Sequence, residues 1–78
     1  MRLCFYRVDQ YSSYLEAIKH GGMREITGLQ TEYRRLYETG GDLADTLEAI
    51  HTTARMMDGN ARLSYVLFDD DGTFLDAS

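Results

Sequence analysis

Val66-Leu67-Phe68-Asp69-Asp70-Asp71-Gly72-Thr73-Phe74-Leu75-Asp76 is the stretch on which the fold turns. An apolar run, a knot of acidic turn formers with a glycine, and a second short apolar run make the pattern of a β-hairpin, with Asp70-Asp71-Gly72 as its turn. Upstream, Ala61 to Phe68 alternates as a strand does: Leu63, Tyr65 and Leu67 point one way, Val66 and Phe68 the other. Thr73 to Leu75 supplies the returning strand.

Working back toward the N-terminus, Met1 to Val8 reads as another strand. Leu3 and Phe5 lie on one face and Cys4 and Tyr6 on the other, so neither face is plainly solvated. Ser13-Tyr14-Leu15-Glu16 has the spacing of a capping box and predicts a short helix to His20, stopped at Gly21-Gly22. Thr27-Gly28-Leu29-Gln30 repeats that spacing. Leu29, Tyr33, Leu36 and Tyr37 follow at i, i+4, i+7 and i+8, which predicts a helix from Gly28 to Glu38 before Gly40-Gly41. Asp42 is the next N-cap, and Leu43, Leu47, Ile50, Ala54 and Met57 line one side of a third helix ended by Gly59. Met23 to Ile26 fits either a brief strand or a first helical turn. The expected fold is therefore α+β, one compact domain over residues 1–78 in the order β-α-α-α-β-β, with a short, mainly antiparallel sheet and the helices packed on one face.

Composition narrows the function classes. With 78 residues, a domain buries only about 60% of its unfolded surface, which leaves a modest core and little room for a deep cleft. Hydrophobic residues at 44% and aromatics at 12% are too many for a disordered acidic segment. A single cysteine, Cys4, excludes an internal disulfide, and no apolar run approaches a membrane span or a signal peptide. A cytoplasmic location is the expectation. The net charge of −5 is unevenly placed: residues 1–37 carry +2 and residues 38–78 carry −7. The acidic half repels phosphate backbones, so direct nucleic-acid binding is not expected and a basic protein surface suits it better.

Val66 to Thr73 also resembles the first motif of haloacid dehalogenase-like phosphatases, an apolar strand followed by Asp-x-Asp-Gly-Thr. The resemblance implies Asp69 as phosphoryl-accepting nucleophile, Asp71 as the acid for the leaving group, and a magnesium ion. It also implies a doubly wound sheet carrying the family's later motifs, whereas only five residues follow Thr73. The motif covers a small part of the chain, and the expectation is a hairpin tip in a protein that is not an enzyme, without cofactor or metal. A calcium loop with Gly72 at its sixth position would start at Leu67 and end at Ser78, neither of them a suitable ligand. His20 and His51 lack the company a zinc site needs, and the glycine pairs follow helices, so they do not cradle phosphate.

Two features remain for function. Asp45 and Glu48, with Thr52, fall on the side of the third helix opposite its apolar stripe; with Asp42, Asp58, Asp69, Asp70 and Asp71 they place spaced carboxylates on a scaffold. The six tyrosines exceed what so small a core needs, and Tyr33 and Tyr37, one turn apart, are candidates for partner contact. Size and charge are similar to those of small acidic inhibitors of nucleic-acid machinery, including phage-encoded anti-CRISPR proteins. That similarity implies occlusion of a basic, nucleic-acid-binding partner. An accessory subunit that self-associates through the hairpin edge or the tyrosine-bearing helices is the other expectation.

Overall fold

The computed structural model describes residues 1–57 and 62–78. The elements run β1 (Arg2–Arg7), α1 (Tyr14–Lys19), α2 (Thr27–Glu38), α3 (Leu43–Met57), β2 (Leu63–Phe68) and β3 (Phe74–Ala77), the expected β-α-α-α-β-β order. The expectations for Asp58, Gly59 and Ala61 lie outside the described residues.

The three strands form an antiparallel sheet in the order β1-β2-β3. Register explains why both faces of β1 are apolar. Leu3 lies opposite Leu67, Phe5 opposite Tyr65 and Arg7 opposite Leu63, while Cys4 and Tyr6 pair with Val66 and Ser64. On the first face Leu3, Phe5, Leu63 and Leu67 pack with Leu29 and Tyr33 of α2 and with Leu47, Ile50 and Ala54 of α3. On the second, Tyr6 and Val66 pack with Ala17 of α1, flanked by Tyr14, Met23 and Phe68. The helices thus do not share one face: α2 and α3 cover one side of the sheet and α1 lies across the other, because Cys4, Tyr6 and Val66 would otherwise face water.

The hairpin is built as its sequence demands. Gly72 N–H donates to the Asp69 carbonyl (3.0 Å), Asp69 N–H donates to the Thr73 carbonyl (2.8 Å), and Gly72 takes φ 87°, which a side chain would resist. β3 starts one residue later than the sequence suggests and carries a bulge opposite Leu67 and Phe68. At the other edge, β1 is covered. Arg24 exchanges backbone hydrogen bonds with Phe5, Leu3 N–H donates to Gln30 Oε1 (2.6 Å), and Gln30 Nε2 donates to the Met1 carbonyl (3.1 Å). Met23 to Ile26 is therefore neither a strand nor a helical turn: Arg24 makes a single bridge. Gln30 also departs from its expected place in a capping box, since α2 begins at Thr27 after Ile26 with no side-chain cap. Its amide mimics a strand backbone instead.

Ser13 Oγ accepts from Glu16 N–H at the start of α1, and Asp42 Oδ1 accepts from Ala44 and Asp45 N–H at the start of α3 (2.9 and 3.2 Å). His51 ties α3 to β2. Its ring stands edge-on to Tyr65, and Nε2 lies 2.6 Å from the Leu63 carbonyl; a carbonyl can only accept, so the proton sits on Nε2.

Candidate interaction surface

α3 fixes where its acids point. Leu47, Ile50 and Ala54 turn inward, and the 3.6-residue repeat then leaves Asp45, Glu48 and Thr52 on the solvent side, all exposed. Asp42 is exposed as well and does double duty as the helix cap. Each carboxylate along this run is one helical step of i+3 from the next, so the charges are spaced along the axis by about 4.5 Å.

The hairpin tip supplies Asp69, Asp70 and Asp71, all exposed. They are not equivalent. Asp69 Oδ1 accepts from Asp70 N–H (2.8 Å), and Asp71 Oδ1 accepts from Thr73 N–H (2.9 Å); hydrogen bonding from the Thr73 side chain first, and from its backbone N–H second, holds the Asp71 carboxyl below the usual carboxylate range. Asp70 pairs with the α-amino group of Met1, which lowers its pKa with help from nearby Arg34. The residues of the phosphatase-like motif are thus engaged in building and anchoring a reverse turn.

The two tyrosines part company. Tyr33 and Tyr37 stack with centroids 5.9 Å apart, yet Tyr33 is fully buried and Tyr37 is exposed. The inner ring therefore serves the core, its phenol pushed up by burial, and only Tyr37 offers surface. Tyr37 lines a shallow cleft of about 340 Å³ together with Met1, Arg34, Glu38 and Asp70. A second groove, of about 430 Å³, runs past Leu36, Thr39 and Gly41 to Asp42 and Asp45. The C-terminal turn of α2 thus has Asp70 on one side and Asp42 with Asp45 on the other, so these three of the predicted acids flank the end of α2. Glu38 joins them, a residue that its place in the apolar repeat of α2 did not single out.

The electrostatics of the two halves differ in kind. Arg2 pairs with Glu25 (2.5 Å), Arg7 with Asp9 (2.7 Å) and Arg35 with Glu32 (2.6 Å), so three cations of the first half are matched by acids of the same half. The guanidinium of Arg7 holds Asp9, and that of Arg35 holds Glu32, below the ordinary carboxylate range. Among the described residues no ion pair reaches Asp42, Asp45, Glu48, Asp69 or Asp71. No group of three or more His, Cys, Asp or Glu residues among the described ones is placed to hold a metal ion, and no described helix is long and apolar enough to cross a membrane.

Comparison with known proteins returns no matching family model, no similar curated protein and no similar solved structure. The surface has to be read from its own residues.

Proposed function

We propose that this chain is a small interaction module that inhibits a partner by covering its basic, nucleic-acid-binding surface. Asp42, Asp45 and Glu48 on α3 and the Asp69-Asp70-Asp71 tip carry the contact, with Tyr37 as an aromatic anchor beside them. The observation that supports this is the asymmetry of ion pairing. Three basic side chains of the first half, Arg2, Arg7 and Arg35, are engaged by neighbouring acids, whereas among the described residues no ion pair reaches the carboxylates of α3, where an external Lys or Arg cluster gains most by approaching. Spaced carboxylates on a rigid helix present to such a cluster what a phosphate backbone would. A phage-encoded inhibitor of the anti-CRISPR kind, acting in the host cytoplasm, is the concrete form of this reading.

The test is affinity capture from native cell extract with the wild type and with the Asp45→Lys/Glu48→Lys double variant, followed by mass spectrometry. The expected result is a nucleic-acid-binding protein recovered by the wild type, released by salt and absent from the variant. Recovery of the same proteins by both chains contradicts the reading.

A further inference from the structure

The acidic end is not the only surface with a distinct character. α1 has six residues and covers its side of the sheet only in part: Ala17 is buried, but Leu15 is 63% exposed and Ile18 50%. Phe74, 46% exposed, stacks on Tyr14 with centroids 5.3 Å apart, so the apolar surface runs from α1 onto β3. Beside Ile18 lies a hollow of about 290 Å³, walled by Cys4, Met23 and Phe68 with Arg2 and Gly72 at its rim. That volume is at the lower limit for small-molecule pockets and suits a single inserted side chain.

This face holds both a projecting leucine and a hollow, which is what a two-fold contact between identical chains requires. Its charges are self-complementary too. Glu16 and Lys19 lie one turn apart on α1, so an antiparallel crossing about a two-fold axis sets Glu16 of each copy against Lys19 of the other. A chain of net charge −5 repels its own copy at the α3 carboxylates, and α3 lies across the sheet from α1. Pairing through the free edge of β3 is disfavoured, because that strand has four residues and a bulge, the devices that blunt sheet edges. A stable contact buries about 800 Å² on each partner. The chain exposes 4954 Å² in total, of which such a contact takes about a sixth, and Tyr14 and the rim of the hollow adjoin Leu15, Ile18 and Phe74 to supply it.

We propose that the α1 face is a dimer interface, in which Leu15 of each copy seats in the hollow beside Ile18 of the other. The reading does not depend on the α3 carboxylates. Sedimentation velocity from micromolar to millimolar concentration is expected to show a mass rising from 8.9 kDa toward twice that value. Leu15→Asp raises the concentration needed by at least about tenfold, since it places a charge in an apolar seat. Glu16→Lys and Lys19→Glu each weaken association, and mixing those two variants restores it, because each then meets its opposite across the axis. Far-UV circular dichroism verifies that α1 persists, and the charge-swap pair, at exposed positions, keeps the test valid if Leu15→Asp unfolds. A mass of 8.9 kDa throughout, a dimer indifferent to Leu15→Asp with its fold intact, or a mixture no tighter than its components overturns the proposal.

Discussion

Leu47→Ala probes the layer that holds α3, and with it the acidic run, in place. Leu47 is fully buried among the residues that join α2 and α3 to the sheet, so its truncation removes atoms from the centre of the larger core. The lost transfer free energy is about 2.4 kcal/mol for three carbon groups at about 0.8 kcal/mol each. The cavity left behind raises the cost to about 3–4 kcal/mol, because Phe5 of β1, Tyr33 of α2 and Leu67 of β2 belong to separate elements and close over it only in part. Total stability for 78 residues is about 4–12 kcal/mol at the usual 0.05–0.15 kcal/mol per residue, so one side chain removes a large share of it. Urea unfolding at low protein concentration reads the effect. With a slope of about 1 kcal/mol/M for a domain this small, the midpoint falls by about 3 M. Met56→Ala, on the same helix but 74% exposed, is the control and changes stability by less than about 0.5 kcal/mol. A Leu47→Ala midpoint within about 0.5 M of wild type, or equal shifts for the two variants, refutes the packing described for α3.

Further outcomes follow from local geometry. Asp42→Ala removes the acceptor for Ala44 and Asp45 N–H and lowers stability by about 1 kcal/mol, read by the same melt. Gly41→Ala sets a Cβ 2.8 Å from the Leu36 carbonyl oxygen and from Thr46 Oγ1, costing about 1–3 kcal/mol; Gly28→Ala meets nothing within 4 Å and stabilises α2 by about 0.5–1 kcal/mol. The ion-paired carboxylates of Asp9, Glu32 and Asp70, and the hydrogen-bonded one of Asp71, titrate lower folded than unfolded. Their contribution is therefore present at neutral pH, fades as pH falls through the ordinary carboxylate range near 4, and is lost below their depressed values. Tyr33 and Tyr65 titrate higher folded than unfolded, so a second loss of stability sets in as pH rises past the ordinary tyrosine value of 10. Thermal melts across pH should show both flanks.

Where local chemistry decides structure, the sequence was informative. Gly72 and the aspartates before it define the turn, Asp42 and Ser13 cap helices as their types suggest, and the alternation of Leu63, Tyr65 and Leu67 places β2 in the sheet. Long-range contacts escaped the reading. Gln30 has the spacing of a capping residue, but its side chain travels to β1, a contact across 27 residues that no local pattern encodes. Tyr33 and Tyr37 look alike in the helical repeat, and only the position of α2 over the sheet sends one inward. The place of α1 was legible in principle. Cys4 and Tyr6 needed cover that α2 and α3, occupied by Leu3 and Phe5, could not give. For the acidic site, the α3 carboxylates were evident from periodicity. Their convergence with Asp70 around the end of α2 required the antiparallel course of α3 and β2.

The proposed attraction of a basic partner by the α3 carboxylates is tested by the association rate with the captured partner as ionic strength is raised. The rate is expected to fall steeply with salt and to drop at low salt in Asp45→Lys/Glu48→Lys, with dissociation changed much less. An association rate indifferent to salt, and equal for the wild type and the charge-reversed chain at low ionic strength, contradicts it.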